Sequence, residues 1–252
     1  MPVSYDFHGR TVVVTGATRG IGKAMAIAYA SAGADLVLTG TSSCADDDYT
    51  HTIRGVAQAS VRYVQVDFDD SPSTDVFLQL LSDLPRLDVL VNNAGINRID
   101  LLTDVSRSNY DSILNVNLHG PYRACQAASR RMVESRYGRI LNVASIWSVI
   151  AKPGRSAYAV SKTGLLGLTR TLAVEVANRG VTVNALSPGF TLTELTQSTL
   201  SPDEILALSN QIPAGRLAVP EEMANVALFL TSDSNTYVTG QNIVVDGGFV
   251  NV

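Results

Sequence analysis

Short runs of apolar and β-branched residues recur along the chain, separated by longer stretches in which Ala and Leu return at helical spacing. TVVVTG (11–16), DLVLTG (35–40), VRYVQV (61–66) and LDVLVNN (87–93) come first; GRILNVAS (138–145), VTVNALS (181–187) and NIVVDGG (242–248) follow. Unbroken apolar runs of this length read as strands buried on both faces, the expectation for a parallel sheet. The spacers, among them GIGKAMAIAYASAG and GLLGLTRTLAVEVANRG, end at glycine as helices do. Strand alternating with helix implies right-handed crossovers. The pattern therefore predicts an α/β fold with a doubly wound, seven-stranded, mainly parallel sheet and helices on both faces.

No repeat, low-complexity tract or linker interrupts the alternation, so residues 1–252 are expected to form one domain. The stretch 192–222 departs from it: polar, without a strand, and carrying Pro202, Pro213 and Pro220. In an open α/β sheet it follows the sixth strand at its carboxyl end, where ligands bind. It is expected to form short helices covering the site, with an ordinary surface excursion as the alternative.

Composition narrows the class. A 252-residue chain with 46% hydrophobic and 17% charged residues describes a soluble globular protein with a sizeable core. A net charge of −4 and the absence of any basic run argue against a nucleic-acid partner. Cys44 and Cys125 make no disulfide framework, and His8, His51 and His119 join them in no metal-binding spacing. The start MPVSYDFHGR is too polar for a signal peptide and no apolar run is long enough to span a membrane, so a cytoplasmic protein is expected.

TVVVTGATRGIGKAMA reads as a strand, a tight turn and a helix. Gly16, Gly20 and Gly22, with Thr18, Arg19 and Ile21 between them, fall where a backbone turns sharply, approaches a pyrophosphate and packs helix against strand. Amide groups and a positive dipole end at the helix start suit phosphates. The spacing is G-x-x-x-G-x-G rather than the commoner G-x-G-x-x-G, but its place after the first strand makes it a dinucleotide loop of Rossmann type. An NAD site usually ends the second strand in Asp or Glu; here stand Gly40, Thr41 and Ser42. With no carboxylate to repel a 2′-phosphate, two hydroxyls to donate to it and Arg19 to add charge, NADP(H) is favoured over NAD(H). The Asp46–Asp48 run just downstream either weakens that field or is merely solvated.

SAYAVSK (156–162) poses a separate question, because Tyr158 and Lys162 stand four residues apart among small side chains. On a helix they share one face, and an ammonium there favours a phenolate. A solvated helix face is the plain alternative. The other motifs decide: TGATRGIG, NNAG (92–95), Ser145, YAVSK (158–162), PGFTLT (188–193) and the terminal VDGG, in order and end to end, resemble the short-chain dehydrogenase/reductase family in its compact subtype of roughly 250 residues. Within it, GATRGIG, GTSS, NNAGINR and IPAGRL look most like the 3-oxoacyl-carrier-protein reductases.

That resemblance implies a tetrad of Asn117, Ser145, Tyr158 and Lys162. Tyr158 is the proton donor or acceptor, its ordinary pKa near 10 brought down by the Lys162 ammonium and an oxidised nicotinamide. Ser145 holds the substrate oxygen. Asn117 holds a water that relays protons towards Lys162. Independently, Pro121, four residues beyond Asn117, cannot donate the helical bond to the Asn117 carbonyl, so the helix is expected to bend there. A simple kink is the competing account. The resemblance also implies that Asp67 and the Phe68 backbone meet the adenine, and that Asn93, Ala94 and Gly95 line the adenosine ribose. It further implies that Thr191 and Thr193, after Pro188 and Gly189, hold the carboxamide and pyrophosphate, and that Tyr158 and Lys162 contact the cofactor as well.

The substrate pocket is expected from Asn97, Ser145, Ile146, Trp147, Tyr158, Phe190 and Leu195. Trp147 either stacks on substrate or packs in the core. Lys152 and Arg155 either steer an acidic substrate or are solvated loop charges, the second being the simpler reading. Three functions stay open: an NADP-dependent carbonyl reductase, which is favoured; an NAD-dependent alcohol, sugar or polyol dehydrogenase; and a nucleotide-sensing regulator without turnover. A small carbonyl or alcohol substrate and a homotetramer are the expected partners, the second from the resemblance alone.

Overall fold

In a computed structural model of the chain, residues 4–43, 53, 55 and 60–252 are described; Cys44, the run Asp46–Asp48 and His51 lie outside them. Successive side chains of the first strand, β1 (Thr11–Val14), enter different helical layers. Val12 and Val14 face one layer and Val13 the other. The remaining strands are β2 (Asp35–Gly40), β3 (Val61–Gln65), β4 (Val89–Asn92), β5 (Gly138–Val143), β6 (Val181–Pro188) and β7 (Asn242–Val245). They form one seven-stranded sheet in the order β3-β2-β1-β4-β5-β6-β7. Every pairing is parallel, so the expected "mainly parallel" sheet is wholly so. β1 pairs with both β2 and β4, which puts the topological switch point at its carboxyl end.

Helices α1 (Gly20–Ser31), α2 (Ser71–Asp83), α3 (Arg107–Leu114), α4 (Gly120–Ser135), α5 (Ser156–Val176), α6 (Glu194–Thr199), α7 (Pro202–Ser209) and α8 (Pro220–Thr231) fill the crossovers. On one face Val12, Val14, Leu36, Leu38, Val89 and Val91 meet Met25 and Tyr29 of α1 and Met223, Ala227 and Leu230 of α8. On the other, Val13, Val37, Leu90, Ile140 and Val183 meet Phe77 of α2, Met132 of α4 and Leu172 of α5. Burying both faces explains why these strands read as unbroken apolar runs. The buried Tyr29 hydroxyl is satisfied by Thr231 at 2.8 Å, tying α1 to α8.

The stretch 192–222 contains α6 and α7 and the start of α8. Two of its three prolines mark boundaries: Pro202 opens α7 and Pro220 opens α8, positions where a missing N–H costs nothing. Ser201 and Glu204 complete a capping box at α7.

Between α3 and α4 the chain winds as a π-helix over Asn115–His119, and the Gly120 N–H donates to the Asn115 carbonyl. The expected bend thus takes the form of a widened turn just before Pro121. It carries Asn117 with its side chain fully buried.

Candidate active site

The motifs converge at the carboxyl ends of the strands. After β1, Gly16 and Gly20 take φ +62° and +54°, a region that disfavours other residues. A Cβ at Gly16 would lie 2.8 Å from the Ala94 Cα, and one at Gly22 would overlap the Gly16 carbonyl oxygen. The loop is bolted to NNAG. The Asn93 amide donates to the Thr15 and Gly16 carbonyls at 2.9 and 3.0 Å. The Thr15 hydroxyl accepts from the Asn93 and Ala94 N–H groups, each at 3.0 Å. Thr15 opens the TGATRGIG motif but had no role there, because glycine spacing says nothing of what the residue preceding the first glycine bonds.

Helix α1 begins with an unusual electrostatic arrangement. Arg19 precedes it in extended conformation and supplies no side-chain cap, and no acid lies in its first turn. Instead the Gly20 N–H donates to Glu194 Oε2 at 3.0 Å, from the far end of the sequence. Thr193 comes with it: a Cβ at Gly20 would sit 3.2 Å from the Thr193 methyl. Glu194 belonged to no motif, and only the fold brings it here.

At the end of β2, Gly40 is packed by Thr18 and Tyr63; a Cβ there would lie 2.7 Å from the Thr18 methyl. Tyr63 Oη donates to the Ser42 carbonyl at 2.9 Å, and Gln65 donates to the Thr41 carbonyl at 3.0 Å. Arg19, Thr41 and Ser42 are exposed, so their side chains face solvent beside the loop. After β3, Asp67 accepts from the Asp69 N–H at 2.9 Å. The Phe68 ring instead enters the core against Phe77, 5.5 Å away, which leaves its backbone for contact with a ligand.

Beyond β5, Ser145 is buried and extended, and its hydroxyl accepts from the Trp147 N–H at 3.2 Å. Tyr158 and Lys162 lie on one face of α5, with Lys162 Nζ 5.8 Å from the phenol centroid. Lys162 is 3% exposed and donates to the Val143 carbonyl at 2.7 Å. The Asn117 side chain closes the arrangement. Its oxygen accepts from the Ile96 N–H and its nitrogen donates to the Ile96 carbonyl, each at 2.8 Å, and it also reaches Ser161 Oγ at 3.1 Å. Ser161, inside SAYAVSK, donates to the Tyr158 carbonyl at 2.7 Å. Gly95 makes room for both groups: a Cβ there would stand 3.3 Å from Lys162 Nζ and 3.4 Å from Asn117 Oδ1.

Burial pushes the Tyr158 phenol up from 10, against the opposing influence of the Ser145 hydroxyl and the Arg155 charge. Burial also pulls Lys162 down from 10.5 to about 8. Enclosure by the protein raises the phenol, whereas the lowering that the resemblance implies draws on the charge of an oxidised nicotinamide as well as on Lys162.

Around the opening, Trp147 is 9% exposed and packs edge-to-face with Phe190 at 6.0 Å, which does the same with Phe249 at 5.0 Å. Trp147 is therefore a packed side chain first. Lys152 is exposed, as a solvated charge would be, and Arg155 is half-buried; their cationic groups lie 5.8 and 5.9 Å from the Trp147 ring centroid. Asn97 is exposed, Ile146 is buried, and Leu195, 62% exposed, points outward from α6. Pro188 ends β6, and Gly189 follows so close to β7 that a Cβ would meet the Asp246 Cα at 2.6 Å. Thr191 bridges to Ala218 and is buried.

Sheet order, switch point and glycine loop define a nucleotide-binding α/β protein of Rossmann type. The chain belongs to the short-chain dehydrogenase/reductase family and is an oxidoreductase of that family. Residues 16–250 match the family described as enoyl-(acyl carrier protein) reductase. The chain is 39% identical to the 3-oxoacyl-[acyl-carrier-protein] reductase of Thermotoga maritima, covering 96% of this chain and 98% of that one. It is 37% identical to the Escherichia coli reductase of the same name, at the same coverage. A Beutenbergia cavernae crystal structure, described as a candidate NAD(P)-dependent gluconate 5-dehydrogenase with NADP bound at low occupancy, superposes with TM-score 0.93 at 38% identity, covering 99% and 100% of the two chains. A candidate gluconate dehydrogenase from Agrobacterium tumefaciens gives 0.92 at 32% identity, covering both chains fully.

Proposed function

We propose that the protein is an NADP(H)-dependent oxidoreductase that interconverts a ketone and a secondary alcohol, with Tyr158 as general acid and base. The observation that carries this is the meeting of Ser145, Tyr158 and Lys162 beside the glycine loop, held by hydrogen bonds to Val143 and by the Asn117–Ile96 clasp. The loop suits a dinucleotide. Its glycines leave cradles that a Cβ would fill, and the Gly20 amide already takes an anionic oxygen, that of Glu194.

Gly16, Thr18, Arg19, Gly20, Ile21 and Gly22 would hold the phosphates, with Thr41 and Ser42 at the 2′-position. Asp67, the Phe68 backbone, Asn93, Ala94 and Gly95 would hold the adenosine. Pro188, Gly189, Thr191 and Thr193 would hold the nicotinamide end. When bound, that group supplies the hydride. Tyr158 supplies the proton to the carbonyl oxygen from Oη, and the raised affinity of its phenol for a proton keeps it neutral and protonated at neutral pH, with the proton to be given. Ser145 shares the developing charge on that oxygen. Lys162 donates from one side to Val143 and has its remaining protons for the ribose and the relay past Asn117. Two neighbouring hydroxyls suit a carbonyl oxygen better than an alkene carbon, which favours ketone over enoyl reduction.

The same reading takes residues 1–252 as one domain, with α6 and α7 covering the substrate. It places the protein in the cytoplasm as a homotetramer. Among the described residues no helix is long and apolar enough to cross a membrane. A groove between α3 and α5, lined by Leu102, Val105, Tyr110, Ala157 and Val160, suits subunit pairing. An NAD-dependent polyol or sugar dehydrogenase is the second reading, favoured by the gluconate dehydrogenases among the structural relatives. A regulator without turnover has no use for the enclosed Tyr158.

The test uses the single tryptophan, Trp147. NADPH and NADH are titrated in parallel against its emission and by calorimetry, for the natural protein and for Tyr158→Phe. NADPH is expected to bind the more tightly, and the variant to keep binding while carbonyl reduction falls about a thousandfold, the scale of a lost general acid. Undiminished reduction by the variant overturns the mechanism, and tighter NADH binding transfers the assignment to the dehydrogenase.

A further inference from the structure

Arg155 is half-buried at the start of α5, one helical turn before Tyr158 and close enough to act on it electrostatically. Its guanidinium lies 5.9 Å from the Trp147 centroid, and Lys152 Nζ lies 5.8 Å from the same ring. Neither has a carboxylate within ion-pairing distance among the described residues. The foot of the sheet shows how this protein treats such cations elsewhere. Arg10 and Arg139 stack on Tyr137 at 4.0 and 4.6 Å, and both are answered by acids. Arg10 meets Asp88 at 3.2 Å and Asp233 at 2.9 Å, and Arg139 meets Asp233 at 3.8 Å.

A desolvated cation without a counter-charge is unfavourable, and burial does pull the Arg155 guanidinium below its usual value. The missing anion is best supplied from outside. The surface beside it supports this. Trp147, Phe190 and Phe249 form an apolar aromatic row, Ser145 stands two residues before Trp147, and the α5 amino terminus adds its positive dipole end.

The geometry points to a substrate that carries an anionic group, a carboxylate or a phosphate, bound by Arg155 with Lys152 at the rim, while its apolar part lies along Trp147 and Phe190. This deepens the ketone–alcohol assignment and rests on it. Arg155 and Lys152 thereby set specificity: uncharged ketones lack the group that neutralises them.

Two substrate pairs separate the sources of the anion. A 3-oxo acid is compared with its methyl ester to read a carboxylate. A 3-oxoacyl-coenzyme A is compared with the same acyl chain on neutral N-acetylcysteamine to read a phosphate. For one pair the charged member is expected to have the higher kcat/KM by about tenfold or more, the worth of a charge-assisted hydrogen bond. In Arg155→Gln that ratio should collapse towards one, and Arg155→Lys should restore part of it. Binding gives a readout apart from turnover: the charged member should change Trp147 emission, with weaker affinity in Arg155→Gln.

Ratios near one for both pairs, or ratios that Arg155→Gln leaves in place, overturn the proposal. Failure of the parent assignment looks different, because then neither pair is reduced by any variant and NADPH does not bind. In that event a charged ligand that still perturbs Trp147 through Arg155 supports the anion site, and one that does not sinks it.

Discussion

The Glu194 carboxylate accepts a hydrogen bond from the Gly20 N–H at 3.0 Å, so the first residue of α6 caps the amino terminus of α1. The helix needs such a partner, having neither a side-chain cap of its own nor an acid in its first turn. That end of the helix is also where a dinucleotide phosphate is proposed to bind. A phosphate bound there would compete with Glu194 for the same positive field.

Glu194→Gln keeps an oxygen acceptor and removes the charge. It is expected to tighten NADPH binding about two- to fivefold, the scale of one charge at a helix terminus, with a smaller effect at high salt. Calorimetric titration at two ionic strengths measures this. Weaker binding in the variant would mean that Glu194 supports the cofactor and does not compete with it.

Much of this was legible beforehand, for identifiable reasons. Strands buried on both faces announce themselves as apolar runs, and all seven were placed within a few residues. The glycine loop and SAYAVSK were legible because close packing and one-turn spacing leave a trace in residue type. Contacts between distant segments leave none. Glu194 on Gly20 and Thr15 under NNAG depend on where crossovers end. The burial of Tyr158 left no trace for a related reason: spacing reports the charge four residues away, while burial depends on everything packed around the phenol. Arg155 read as solvated because a local window cannot show that it is half-buried over Trp147.

Lys162 and Tyr158 give a pH dependence whose sign follows from their opposite shifts. Lys162 is lowered from 10.5 to about 8, so between those values the unfolded chain holds the extra proton and stability rises with pH. That contribution is present above 10.5 and lost as pH falls through about 8. Tyr158 acts the other way: above pH 10 the folded protein keeps a proton that the unfolded chain sheds, and stability falls. Urea unfolding from pH 7 to 10 should show the rise, and Lys162→Met should abolish it. In the same range, kcat/KM for carbonyl reduction should decline as the Lys162 ammonium is lost. A flat stability profile in the natural protein, with a steady rate to pH 10, would contradict both.

The Asn117 clasp makes the most stringent structural prediction. Its amide satisfies both backbone groups of Ile96 at 2.8 Å, and the residue is fully buried on the π-turn, next to Gly95 and within reach of Lys162 through that glycine. Asn117→Ala leaves a buried N–H and a buried C=O unpaired, at a cost of about 1–3 kcal/mol each. Asn117→Asp keeps the acceptor for the Ile96 N–H but turns a donor into a second oxygen facing the Ile96 carbonyl. We expect both variants to lower the unfolding midpoint in urea, and reduction to fall by more than the loss of folded protein accounts for. The excess loss should appear in kcat, because the Gly95–Lys162 spacing relaxes when the clasp opens. If Asn117→Ala retains its natural midpoint, the two hydrogen bonds to Ile96 do not hold this corner of the site.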